Sequence, residues 1–389
     1  MSDNDNPYDA SLIEVLEGLE AVRKRPGMYV GSTSQRGLHQ IVFDVAERAV
    51  NEVLAGRASA VEVTLTSDGG VRVADDGPGV PVEAAGDTSG PGLEALLTRM
   101  HPGVAEPGGR HAVAMSLFGI GPCVTNALSS RLTAEVRRDG VHWVQEYARG
   151  VALAPPTSAG PTTRSGTTIA FWPDTDIFET TECSFAVLAE RFRELAFLNR
   201  DLDIALTDER PSGRSRSVRY RFPGGARDFV AFLDAQAGES VDQDVIGFEH
   251  EDPQIAGTVE VALRWRDAPG ERLQGYANSE PTPHGGTHMA GFRDGAAASV
   301  NAYVRERGLL AEAAPDLSID QIGHRLTAVV SVKLDRPEFS GSTRGVLDGA
   351  AVRTSVADAV REHLGTWLER HPEQASAIVG RIIQGARQD

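Results

Sequence analysis

The chain has 389 residues and a mass of 41.5 kDa, about two and a half typical domains, so two domains are expected. Hydrophobic residues make up 41% and charged residues 24%, and no run of about 18 uncharged apolar residues occurs; global disorder and a membrane-spanning helix are excluded. With 38 basic against 55 acidic residues the net charge is −17, which excludes a broad grip on a nucleic-acid backbone by this chain alone.

The two cysteines, Cys123 and Cys183, cannot build a disulfide framework, and this fits a cytoplasmic location. Residues 1–15 are polar and acidic, unlike a signal peptide, and are expected to form an arm. Ser11 and Glu14 make a capping box for a helix over about 11–24, which Pro26 and Gly27 end. A longer helix is predicted over about 37–55, with Leu38, Ile41, Val42, Val45, Ala49 and Val53 inward. A hairpin follows, VEVTL at 61–65 and VRVAD at 71–75, turning on Ser67-Asp68-Gly69-Gly70. Residues 84–116 read as a long loop with a short helix near 92–100. Strands are predicted over 131–149 and 166–173, with 151–165 as a hairpin loop and a helix over 184–197. A second unit, 222–389, holds strands near 257–265 and 327–334 and a helix near 296–308. It closes with helices near 350–369 and 373–387, split by His371-Pro372.

Three segments carry candidate chemistry. Asp44, Arg48, Asn51 and Glu52 share one face of the helix over 37–55, and the i, i+4 spacing predicts that Arg48 pairs with Asp44. Such charges are ordinarily a solvated face. The hairpin ends in Asp75-Asp76-Gly77-Pro78-Gly79, a carboxylate at a strand end, which is otherwise a common turn. Gly119 and Gly121 precede a short helix from Pro122 to Leu128, where backbone amides can approach an anion.

Taken together with further motifs, these segments resemble the B subunit of bacterial DNA gyrase, a GHKL ATPase. The resemblance rests on Val22-Arg23-Lys24-Arg25-Pro26-Gly27-Met28-Tyr29-Val30-Gly31, on Gly37-Leu38-His39, on Asn126-Ala127-Leu128-Ser129 and on Gly166-Thr167-Thr168. It continues through Arg193-Glu194-Leu195-Ala196-Phe197-Leu198-Asn199, Gly285-Gly286-Thr287-His288-Met289-Ala290-Gly291-Phe292-Arg293 and Ala328-Val329-Val330-Ser331-Val332-Lys333. It covers nearly the whole chain and stops where the family's DNA-cleaving and metal-binding region begins. It implies an α+β fold: an arm at 1–15, a GHKL (Bergerat) sandwich over 16–220 and a ribosomal-protein-S5-like transducer domain over 221–389. It also implies ATP or ADP as ligand, a ligand-promoted homodimer in which Tyr8 and Ile13 reach the partner protomer, and a gyrase A-type subunit as a further partner.

Position by position, Asp75 falls on the family's acceptor for the adenine amino group, and Thr167 on the threonine that accompanies it. Val45, Val73, Gly79 and Ile169 fall on pocket positions, and Gly119 and Gly121 on the phosphate loop. The phosphate half departs from the pattern. Asp44 replaces the glutamate general base, which draws the carboxylate back by roughly 1.3–1.5 Å. Arg48 replaces the magnesium-coordinating asparagine, and a guanidinium cannot ligate a cation. Pro78 replaces an arginine, and Arg344 replaces the lysine that reaches the γ-phosphate. Two readings follow. Arg48 substitutes for the metal in a working ATPase, or the chain no longer hydrolyses ATP and serves as a ligand-binding, regulatory, drug-resistance or biosynthetic protein.

Overall fold

Two β-sheets, each with helices packed against it, organise the computed structural model, which describes residues 18–83, 92–100, 113, 115, 121–210, 215–237, 245–311, 313–341 and 344–385. Helices α1 (Gly18–Lys24), α2 (Gly27–Val30) and α3 (Gln35–Leu54) lead into the hairpin β1 (Val61–Leu65) and β2 (Val71–Asp75). After α4 (Leu93–Thr98) and α5 (Cys123–Ala127) come β3 (Ser129–Arg138), β4 (Val141–Ala148), β5 (Val151–Ala152), β6 (Thr157–Pro161) and β7 (Gly166–Pro173). Helix α6 (Phe185–Leu198) then precedes β8 (Ile204–Asp208) and β9 (Arg216–Tyr220). These nine strands form one sheet in the order β5-β4-β3-β7-β2-β1-β8-β9, with β6 paired to β4. The β1–β8 pairing is parallel, so the sheet is mixed, as expected.

The remainder comprises α7 (Ala226–Gln236), β10 (Ile246–Asp252), β11 (Gly257–Trp265), β12 (Arg272–Ala277), β13 (Glu280–Pro281), α8 (Thr287–Glu306), α9 (Ile319–Gly323), β14 (Leu326–Leu334), α10 (Ala350–Arg370) and α11 (Pro372–Gly385). Its five strands lie in the order β10-β11-β14-β12-β13, with β12 and β14 parallel. Strand β14 is buried on both faces: Ala328, Val330 and Val332 join the core shared with α8 and α10, while Val329 joins Phe197, Phe229 and Tyr276 on the other side. That second cluster bridges the two sheets, with Phe197 of α6 stacked on Phe222 at 3.8 Å and on Phe229 at 4.7 Å. Two of the sequence motifs meet here by their last residues, because Lys333 Nζ donates to Asn199 Oδ1 at 3.1 Å.

Several element assignments need correction. Residues 131–149 are two strands turning at Asp139 and Gly140, both with positive φ, and the segment 151–165 contributes β5 and β6 rather than loop alone. The first helix ends at Lys24, before Pro26 and Gly27 as expected, and those residues also open the short α2. Helix α8 begins about ten residues before the predicted helix near 296, because glycines suppressed its helical signal. Those glycines have a packing reason. A Cβ on Gly291 would lie 2.3 Å from the Arg353 carbonyl oxygen, and one on Gly295 2.6 Å from that of Ala357, so α8 and α10 meet backbone to backbone. The arm, and with it Ser11 and Glu14, lies outside the described residues.

Gly291→Ala should therefore destabilise the protein by about 1–3 kcal/mol despite the better helix propensity of alanine. Urea unfolding at neutral pH checks this; an unchanged midpoint would show that α10 can retreat at no cost.

Candidate functional site

The site is assembled from β2, β7 and the polar face of α3. Register places Asp75 directly opposite Thr167, and Val73 opposite Ile169, across the β2–β7 pairing. Val45 of α3, Val73 and Ile169 are all buried, as are Asp75 and Thr167. The Thr167 hydroxyl accepts the Val80 N–H at 3.0 Å, which fixes the chain leaving β2. Gly79 turns there with φ +81°, and a Cβ would sit 2.9 Å from the Arg137 carbonyl oxygen, so only glycine fits. Gly121, φ +88°, turns the chain into α5. Gly119, Tyr8 and Ile13 lie outside the described residues.

Asp75 is not a free acceptor. One carboxylate oxygen receives the Gly77 N–H at 3.0 Å, and the other is ion-paired to Arg48. Only 1% of the Asp75 side chain and 13% of Arg48 are exposed. The predicted Arg48–Asp44 pair is therefore corrected: the guanidinium reaches across to the strand end rather than back along its own helix. The physical reason is demand. A carboxylate held in that depth by sheet register needs a counter-charge, and Arg48 is the cation that reaches it. Its buried Nε has no hydrogen-bond partner among the described residues.

Asp44 meets burial differently. It is fully enclosed, and its carboxyl is pushed well above the usual carboxylate range, chiefly by loss of solvent. A hydrogen bond from Gln40 Nε2 at 2.9 Å opposes that shift, and the nearby Glu47 charge reinforces it. An Arg48 partner would have lowered that pKa; with Arg48 turned to Asp75, burial raises it. Cys123 shares this environment, its thiol pushed up to about 12 by burial and by the charge of Asp44.

The rest of the α3 polar face holds chain from the loop that precedes α5. Asn51 bonds the backbone of Val113 in both directions, at 3.2 and 2.8 Å. Gln40 donates to the Met115 carbonyl at 2.8 Å, and Glu47 accepts the Met115 N–H at 2.8 Å. Gln40 and Glu47 were missed from sequence, although Gln40, Asp44, Glu47 and Asn51 follow one helical face at spacings of four, three and four residues. Glu52 faces elsewhere and pairs with Arg57 at 2.8 Å. Arg344, with φ +54°, lies over the Phe339 ring at 6.0 Å, and its charge acts on Glu280. Among the described residues, no contact joins Arg344 to Asp44, Arg48 or Asp75.

A buried carboxyl whose pKa is raised in the folded state favours folding when protonated, so its contribution is lost as pH climbs from the unfolded value near 3.8 through the folded one. Asp44→Asn should remove that penalty while keeping an acceptor for Gln40. Unfolding midpoints of variant and parent should coincide near pH 3.5 and separate in favour of the variant as pH rises; a constant difference would place the ionised carboxylate in a solvated environment.

Similarity to known proteins agrees with this geometry. A family model described as DNA gyrase B matches residues 225–389. The DNA gyrase B protein of Streptomyces coelicolor is 45% identical over 97% of this chain, which spans 57% of that relative's length. The 43K ATPase domain of Thermus thermophilus gyrase B, solved with an aminocoumarin, superposes with a TM-score of 0.81 at 31% identity, covering 96% of each chain. The topoisomerase IV ATP-binding domain of Francisella tularensis, solved with a small-molecule inhibitor, gives a TM-score of 0.76 at 28% identity, over 96% of this chain and 98% of that one. Among the described residues no helix is long and apolar enough to cross a membrane. The mixed sheets, the strand-end aspartate opposite a threonine and these similarities together place the chain in the DNA gyrase B family, with the α+β fold of its GHKL ATPase region.

Proposed function

We propose that this chain is a gyrase-B-type nucleotide-binding module in which Arg48 gates the adenine site and magnesium-dependent ATP hydrolysis has been lost or is very slow. The Arg48–Asp75 ion pair carries the reading. Adenine recognition needs an acceptor at Asp75, and that acceptor becomes available only when Arg48 swings away. The residues present fit the adenine ring, through Asp75, Thr167, Val45, Val73, Gly79 and Ile169. They do not fit a magnesium ion: Arg48 offers no lone pair, and a guanidinium about 4 Å from a divalent cation is repelled by ~8 kcal/mol at an effective dielectric near 20. Displaced from Asp75, Arg48 supplies positive charge to nucleotide phosphates in place of the metal. Arg344 is assigned the phosphate-directed role of the family's lysine, and Asp44 the position of the base.

The division into an arm at 1–15, a GHKL domain over 16–220 and a transducer over 221–389 belongs to the same proposal. So do a cytoplasmic location, a ligand-promoted homodimer through Tyr8 and Ile13, and a gyrase A-type partner. The same ion pair also favours a second reading, a catalytically degenerate relative repurposed as a ligand-binding, regulatory, drug-resistance or biosynthetic protein, since the closed pair leaves a pocket without a free adenine acceptor. The Thermus thermophilus domain takes an aminocoumarin, which makes that compound a suitable probe of the second reading.

Calorimetry with ATP, ADP, a non-hydrolysable ATP analogue and an aminocoumarin, each with and without magnesium, separates the two. The first reading expects nucleotide binding that magnesium does not strengthen, together with negligible ATP turnover. Arg48→Asn should free Asp75 for the base but remove the charge that meets the phosphates, so it should shift preference from ATP toward adenosine roughly tenfold, and Arg48→Asn with Asp44→Glu should make nucleotide binding magnesium-dependent. Aminocoumarin binding by a protein that binds none of the three nucleotides supports the second reading, whereas robust magnesium-dependent hydrolysis by the unmodified protein would sink both.

Sedimentation addresses the dimer. Saturating nucleotide should shift the protein from monomer to dimer, and deletion of residues 1–14 should abolish the shift; a monomer at saturation would count against the arm's role.

A further inference from the structure

Away from the nucleotide site, on the five-stranded sheet, His250 of β10 faces Glu362 and His363 of α10. One ligand atom from each lies within 4.8 Å of the other two; both histidines are half-buried and Glu362 is exposed. His363 carries a buried ring nitrogen, Nε2, that has no hydrogen-bond partner among the described residues. An orphaned imidazole nitrogen in that setting is a cost the fold tolerates unless something else takes its lone pair. The ring is held in place: it stacks on Phe248 at 4.5 Å and 16°, with His250 edge-on to it at 5.6 Å and 68°. Phe248 and His250 are alternate residues of one strand, so both project toward α10, which packs against β10. Strand β10 is itself pinned to β11, with His250 opposite Val259. Asp252, two residues further along the same face, adds negative charge beside His250.

We infer that His250, Glu362 and His363 form a binding site for a divalent first-row transition metal of the zinc class, joining the edge strand to the C-terminal helical layer. Two imidazoles and one carboxylate are a ligand set that suits zinc, cobalt or nickel and leaves a position for water; magnesium and calcium prefer oxygen donors alone. Around a tetrahedral ion with bonds of about 2.0–2.1 Å, ligand atoms sit roughly 3.4 Å apart, so the three side chains close by an ångström or so on binding. The exposed Glu362 supplies most of that movement, while stacking keeps the His363 ring where it is. The cysteines do not compete, because Cys123 and Cys183 are buried and their thiols are pushed up to about 12.

The test uses the full chain, free of affinity tag and nucleotide and stripped with chelator, titrated with zinc chloride by calorimetry and with cobalt chloride by visible absorption. One equivalent of zinc should bind, cobalt should develop the visible bands of a low-coordinate nitrogen–oxygen site, and zinc should raise the melting temperature by ~5 °C while magnesium leaves it unchanged. His250→Ala, His363→Gln and the surface change Glu362→Gln should each weaken zinc at least about tenfold. The Glu362→Gln and His250→Ala proteins should melt like the parent when metal is absent, which separates lost ligation from lost folding. Failure of the parent to bind zinc overturns the inference, as does equal affinity in parent and in all three variants.

Discussion

A buried carboxylate must be paired or neutral, and the half of this protein built on the nine-stranded sheet is organised around two of them. Asp75, fixed at the end of β2 by its register with Thr167, takes the first route: Gly77 fills one oxygen and Arg48 the other. Asp44, one helical turn before Arg48, leans toward the second: burial pushes its pKa well above the usual carboxylate range, and the hydrogen bond from Gln40 only opposes that shift. Had Arg48 turned back to Asp44, Asp75 would have been left charged among Val45, Val73 and Ile169. The choice of partner follows from which carboxylate can least afford to be alone.

That choice marks the limit of what the sequence discloses. Helix α3 and the β1–β2 hairpin were legible because each rests on periodicity within one segment, whereas the pocket positions Val45, Val73 and Ile169, spread over three elements, were reached only through the family resemblance. The partner of Arg48 was not, because i, i+4 spacing describes only the helix, whereas Asp75 approaches through sheet register set by β7. The same blindness hid the roles of Gln40 and Glu47, whose targets are backbone atoms of Met115 with no side-chain signature. Helix α8 was foreshortened for a different reason: Gly291 and Gly295 lower local helix propensity to let α10 approach, so packing overrode the local signal. Strands β8 and β9 were not identified either, although at five residues each they are as long as β1 and β2.

The two sheets communicate through α6. Its Arg191 donates to the Ser279 carbonyl at 3.0 Å and pairs with Glu280, and Asn199 at its end bonds both Ser279 and Lys333. Burial lowers the affinity of Lys333 for its proton, and the carboxylates of Glu260 and Glu249 work against that loss. Polar contacts therefore fix the angle between the sheets, while the Phe197 stack supplies apolar area without directional preference. Arg344 is joined to this junction through Glu280, so a charge arriving near Arg344 would be felt by the residues that hold the sheets together.

On the function proposed above, nucleotide entry would exchange partners rather than fill an empty site. When adenine takes the Asp75 oxygen, a neutral amino donor replaces a guanidinium beside a carboxylate that has almost no contact with solvent. That exchange loses charge assistance at Asp75 and leaves Arg48 without a counter-ion, so the base alone cannot compensate for it. Phosphates can, because they offer Arg48 a new anion on its own helix face. Adenine recognition and phosphate neutralisation, which in a metal-dependent ATPase are separate contributions, become one coupled step when a single side chain stands between them. The lone buried Nε of Arg48 fits such a residue: its present geometry satisfies one carboxylate and leaves donor capacity unused. On that proposal, Arg48 ties occupancy of the pocket to the charge of what occupies it.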